Sequence, residues 1–191
     1  MRQHAMKSSK FPPSFDLYES QTLTSDISLK LCHGWSTEEI TSYYLDEPEP
    51  DLPAALEEVR AEYARLITGP SEDAQRISAL EQALAARGLA FSFDEGWDTA
   101  EGAEEGAERA RAAGHRGYAY CTQQDVDRVI DSGELYFGFS SMDNPGSEED
   151  AEIGQAVVDA LKEVGLSPQW GGSTKERVAC SGLVFELALA D

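Results

Sequence analysis

Residues 117–141, GYAYCTQQDVDRVIDSGELYFGFSS, leave this chain few folds to choose from. Gly117 to Cys121 is a short strand-like run. Thr122 follows as a good helix N-cap, with Asp125 where a negative charge favours the helix dipole. Val126, Val129 and Ile130 recur at helical spacing, and Gly133 stops the helix. Leu135, Phe137 and Phe139 then alternate as a strand does. Strand, helix and strand in so short a run predict a sheet with helices laid on it.

The pattern extends in both directions. LAFSF, from Leu89, alternates as a strand. Residues 99–114 read as a helix with a stripe of Ala100, Ala103, Ala107 and Ala110. Gly102 and Gly106 weaken that helix. They make sense if it packs very close to a flat surface such as a sheet. After the loop SMDNPGSEED, Ser147 caps a long helix with Ile153, Val157, Leu161 and Val164 on one face. Gly165 ends it, LSPQW is a strand candidate, and KERVACSGLVFELAL supplies one or two closing strands. The expected class is α/β or α+β, with a sheet of about five strands.

Before residue 89 the period is helical. Leu23, Ile27 and Leu31 step by four, and Ser36 to Glu39 form a capping-box sequence. The helix that box opens would bury Ile40, Tyr43 and Tyr44. DEPEPDLP, residues 46–53, reads as a linker. Two amphipathic helices follow, one on Leu52, Leu56, Val59, Tyr63 and Leu66, the next on Ile77, Leu80 and Leu84, with Gly88 as its C-cap. The organisation expected is a loose arm over 1–21, a helical lobe over 22–88 and an α/β sheet domain over 89–191.

Charge bears on partners. Lys and Arg number 15 against 36 Asp and Glu, a formal net charge of −21. Such a surface repels phosphate backbones and anionic lipid, so neither nucleic acid nor a membrane surface is an expected partner. It attracts basic proteins. The densest acidic patch surrounds Trp97: Asp94, Glu95, Asp98, Glu101, Glu104, Glu105 and Glu108. Aromatics anchor interfaces, so Trp97 with Asp98, Glu101, Glu104, Glu105 and Glu108 is the candidate protein interface. A solvated helix face is the plainer reading of the same residues.

Cys121 is the candidate for chemistry. A thiol at a strand's carboxyl end, just before a helix N-terminus, lies near partial positive charge that favours the thiolate. Open α/β sheets bind ligands at that end. No base can be read beside it. His4 is in the arm, His115 lies at the far end of the same strand, roughly 15 Å away at ~3.3 Å per residue, and His33 has no readable place. Cys121 therefore reads first as a small buried residue. Gln124 and Asp125 are the polar candidates of the same strand-end cleft, though a helix cap accounts for them too.

Other chemistry finds no motif. Cys32, Cys121 and Cys180 are far apart and contain no CxxC, so neither a disulfide framework nor a zinc site is expected. Asp143, Asn144, Glu148, Glu149 and Asp150 share a loop, but their spacing suits a turn and a helix cap rather than a calcium loop. There is no phosphate-cradling glycine motif, nucleophile elbow or HExxH, and no cofactor is expected. The first residues lack an apolar secretory core, and no run approaches the ~20 apolar residues of a membrane span. A cytoplasmic location is expected.

The segments GYAYCTQQDVDRVIDSGELYFGF and AEIGQAVVDALKEVGLSPQWGGSTKERV resemble an uncharacterised bacterial domain-of-unknown-function family. The shared pattern is Gly-Tyr-x-aromatic, Gln-Asp, a Leu-Tyr strand, an Ile-Gly-x-x-Val-Val helix and a Trp-x-Gly turn. HGWSTEEI is similar to the opening of the same family. The resemblance implies that 22–191 is one evolutionary unit, and it implies no activity. Relatives often carry cysteines near a glycine-rich stretch after the first strand. The matching FSFDEGWDTAEG has none. The function expected is that of a non-enzymatic protein-binding protein, an adaptor or an immunity-type inhibitor of a basic toxin. The alternative is a small ligand-binding domain or enzyme using the cleft near Cys121.

Overall fold

The structure is a computed structural model that describes residues 22–191. The expected arm, 1–21, lies outside the described residues. Four helices come first: α1 (Leu23–Cys32), α2 (Thr37–Tyr43), α3 (Leu52–Leu66) and α4 (Glu72–Ala85). Their starts are local chemistry. Thr22, Ser36 and Ser71 each accept a backbone N–H of the first turn, and Glu39 completes the capping box with Ser36. Two readings need correction. α3 begins inside the stretch read as a linker, because Pro53 sits in its first turn, where a missing N–H is harmless. Ile40 is buried as expected, but Tyr43 is 58% exposed, its ring lying under the Lys30 ammonium.

Strands and helices then alternate: β1 (Leu89–Phe93), α5 (Thr99–Ala113), β2 (Gly117–Cys121), α6 (Gln123–Ser132), β3 (Leu135–Ser141), α7 (Glu148–Glu163) and β4 (Val178–Cys180). The sheet order is β1-β2-β3-β4. β1 and β2 are parallel, in register from Leu89 opposite Gly117 to Phe93 opposite Cys121. β2–β3 and β3–β4 are antiparallel. The class is mixed α and β, as expected.

Among the described residues the sheet has four strands, not about five. LSPQW contributes only a bridge, in which Gln169 and Ala179 exchange two backbone hydrogen bonds. Pro168 has no N–H to extend it, and the Gly171-Gly172 turn follows at once. The last residues also leave the sheet. Leu183 and Phe185 bury themselves elsewhere, while the backbone pairs with the helices: Ser71 N–H donates to Glu186 O at 2.9 Å, and Tyr63 OH to Leu187 O at 2.6 Å.

Strand alternation sorts the core into two unequal layers. Leu89, Phe91, Ala119, Cys121, Leu135 and Phe137 join the apolar faces of α1, α3, α4, α6 and α7 in one cluster. The helical residues 22–88 thus share their core with the sheet. Side chains such as Leu80 and Phe137, fully buried there, each gain about 1.5–3 kcal/mol from burial. Ala90, Tyr118 and Tyr120 point the other way, against Ala110, with Ala103, Ala107 and Met142 packed beside them. A Cβ on Gly102 would lie 2.7 Å from the Tyr120 ring, and one on Gly106 2.4 Å from the Tyr118 ring. This is the close approach to a sheet that those glycines imply.

Candidate functional site

The parallel pair β1–β2 directs its carboxyl ends toward α1. β1 stops at Phe93, and Asp94 takes φ +62°, the only positive φ of a non-glycine among the described residues. Asp tolerates this left-handed conformation better than most residues. The turn is pinned on its far side: Asp94 N–H donates to Cys121 O at 3.0 Å, and Gln123 N–H to Gly96 O at 2.9 Å. Its carboxylate meets the ring of His33, which caps the C-terminus of α1.

His33 is bridged on both sides. Its Nδ1 lies 2.8 Å from each Asp94 oxygen, and its Nε2 lies 2.6 Å from Asp127 Oδ1 of α6. An imidazole can donate from both nitrogens only when protonated. Burial alone would lower its pKa. The hydrogen bonds to Asp127 and then Asp94, with their charges, more than reverse this and raise it to about 9. The helix C-terminus also favours the cation. Burial pushes the Asp94 carboxyl up, although His33 pulls the other way. The result is an Asp–His–Asp wall tying α1, the β1–α5 turn and α6 together. With both nitrogens engaged, this imidazolium cannot accept a substrate proton. In this geometry it bridges the two carboxylates by charge.

Two clefts flank the wall. One, of about 570 Å³, has Phe91, Phe93 and Phe185 among its lining, with Glu39, Glu81 and Glu95 beside them. The other, of about 560 Å³, is lined by Asp26, Trp35, Tyr43, Trp97, Gln123 and Asp127, with Lys30, His33 and Asp94.

The residues singled out from the sequence separate. Cys121 is fully buried, and burial, helped by the Asp125 charge, pushes its thiol well above the ordinary range. The thiolate is the reactive form, so this environment opposes reactivity. Asp125 is buried as the N3 residue of a capping box with Thr122, and its carboxylate takes Arg128 at 3.0 Å and Arg177 at 2.8 Å. Gln124 is exposed; its neighbour Gln123 lines the cleft instead. Cys121, Gln124 and Asp125 therefore do not converge on one space.

The acidic patch stays at the surface. Trp97 is 54% exposed. Asp98 caps α5 by accepting from Ala100 and Glu101 N–H, and Glu101 accepts from Trp97 N–H at 2.6 Å. Glu101, Glu104, Glu105 and Glu108 are all exposed along α5. In the 140–150 loop, Asp150 is buried and accepts from Ser141 N–H at 2.7 Å and Gly146 N–H at 2.6 Å, which closes the turn. Among the described residues, no group of three His, Cys, Asp or Glu is placed to hold a metal. None of their helices is long and apolar enough to cross a membrane.

Sequence reasoning missed the wall itself. Its local signals, a histidine before Gly34 and an aspartate just after a strand, are too ordinary to single out. No curated protein and no solved structure matches the chain. A family model does match, over residues 32–186, a span that takes in His33, Asp94, Asp127 and every segment that carried the resemblance. The chain belongs to the family described as Domain of unknown function (DUF6891).

Proposed function

We propose that the protein is a non-enzymatic binding protein that takes a basic protein partner on its acidic surface, in the manner of an adaptor or an immunity-type inhibitor. The observation that carries this reading is Trp97. It stands 54% exposed at the mouth of a cleft, at the start of a helix whose Glu101, Glu104, Glu105 and Glu108 face solvent. An exposed indole ringed by one sign of charge suits an interface anchor with electrostatic steering. The −21 net charge gives a basic partner a long-range attraction. The buried thiol and the doubly engaged imidazole argue against catalysis at the strand ends.

A second reading, a small-ligand site, draws on the two clefts beside His33. Affinity capture from native lysate separates the two. The tagged protein is compared with a variant carrying Glu101, Glu104, Glu105 and Glu108 all changed to Lys. One basic protein held at low salt, weakened at high salt and lost by the variant supports the interface. Retention of that protein by the variant, or no retained protein at either salt, overturns it.

A further inference from the structure

The cleft beside Trp97 already accommodates a cation. Lys30 of α1 places its ammonium 4.0 Å from the centre of the Tyr43 ring and 5.3 Å from that of Trp35. Both Asp26 oxygens lie 2.9 Å from the same nitrogen. Tyr44 OH donates to Asp26 as well. Aromatic faces and a carboxylate thus enclose one positive charge. The outer part of the cleft offers more aromatic surface and a net acidic lining: Tyr43 and Trp97 are 58% and 54% exposed, and Asp26, Asp94 and Asp127 outnumber Lys30 and the His33 imidazolium.

We propose that this outer part, between Tyr43 and Trp97, receives an arginine or lysine side chain of the basic partner. The inference rests on the protein-binding reading and names the subsite where the partner is gripped. Four features argue for it. The ring faces attract a cation and the aliphatic stem of its side chain together. The α5 carboxylates give the approach the right sign. Both aromatic rings stay largely exposed, although burial would favour each of them. Asp94 and Asp127 share one imidazolium, so two carboxylates face one fixed charge there.

The test uses the full chain and a synthetic peptide of alternating Arg and Gly, with citrulline replacing Arg in a control. Citrulline keeps the shape and loses the charge. The three tryptophans give three indole N–H signals in a nitrogen-correlated NMR spectrum. Trp170 serves as the internal reference, because its indole donates to Ser173 O and its ring packs on Phe139, outside this cleft. The expected result is a saturable shift of the Trp35 and Trp97 signals with the Arg peptide alone, and none at Trp170. Trp97→Ala and Tyr43→Ala, neither of which changes net charge, should each weaken binding about fivefold. Thermal unfolding of both variants checks that the fold is kept.

Binding that moves neither Trp35 nor Trp97, or that is equally strong in both variants, overturns the subsite. If such binding is lost by the fourfold Glu-to-Lys variant, the acidic-interface reading stands without the subsite. If the Arg peptide does not bind, the subsite falls. The interface reading then stands or falls on the lysate capture.

Discussion

The α5 face of the sheet and the carboxyl ends of its parallel strands solve opposite problems. On the α5 side, Gly102 and Gly106 let a helix backbone settle against the rings of Tyr120 and Tyr118, with no room for a methyl group. The buried contacts of that layer are apolar, Ala90, Ala110, Tyr118 and Tyr120. At the strand ends, α1, α6 and the β1–α5 turn meet through a protonated ring and two carboxylates, with a cleft on either side. The first contact is shape and the second is charge. Where the glycines sit, the packed layer leaves no room for a ligand. A wall held by charge leaves space beside it, at the end of the sheet where open α/β folds place ligands.

The sharpest way to break the comparison is to remove the charge. His33→Ala leaves Asp94 and Asp127 facing each other with no cation between them. Breaking a largely buried pair in this way costs about 3–5 kcal/mol. Partial exposure of the two carboxylates brings the expected loss here to about 3 kcal/mol. Urea unfolding of wild type and variant measures it. A loss below about 1 kcal/mol would class the wall with ordinary surface pairs.

The same bridge sets a pH window. A group whose folded pKa is raised stabilises fully below its unfolded value and loses that contribution as pH rises through the folded one. For His33 the ordinary value is 6.5 and the folded value about 9. The stability advantage of wild type over His33→Gln should therefore be largest near pH 6. It should fall by on the order of 2–3 kcal/mol by about pH 10. Lysines and tyrosines titrate in both proteins, so the difference between the two curves isolates the imidazole. A constant difference across that range would show that the ring is held by packing rather than by its proton.

The two regions also differ in how far the sequence reveals them. The glycine layer is legible because its signal is local: Gly102 and Gly106 are one turn apart, among alanines, followed by a strand of alternating tyrosines. Caps at Ser36, Thr122 and Ser147 are equally local, and they form as expected. The wall draws on residues 61 and 94 positions apart, each unremarkable in its own surroundings. Only the docking of the helices onto the strand ends brings them together. Gln169 and the last residues fail for a related reason. Their alternation suits a strand, but Pro168 has no N–H to extend a ladder, and the last residues bond to Ser71 and Asp73 at the start of α4 instead.

A smaller effect tests the packed side. Gly106→Ala improves helix propensity by about 1 kcal/mol. Its Cβ, however, would stand 2.4 Å from Cδ2 of Tyr118 and 3.1 Å from Cγ, close to the root of a ring that cannot swing away freely. Overpacking of this kind costs about 1–3 kcal/mol, so a net loss of about 1 kcal/mol is expected. Gly114→Ala is the control. No atom lies within 4 Å of a Cβ there, but φ is +68°, so any penalty comes from the backbone alone. A Gly106→Ala variant more stable than wild type would mean that α5 can lift from the sheet, and that the layer is not closed.

The smallest effect concerns Trp97. The ring is more than half exposed, and its backbone N–H, not its side chain, holds Glu101. Truncating it to Ala should change unfolding free energy by less than about 0.5 kcal/mol, as for surface substitutions away from special contacts. A tryptophan that contributes so little to the fold leaves a large apolar surface in water for no structural return. Its removal should then register in partner binding while the melting curve stays in place. A loss of more than about 2 kcal/mol would instead assign Trp97 to the support of the Gly96 turn. The strand-end cleft would then have a structural rim rather than a binding one.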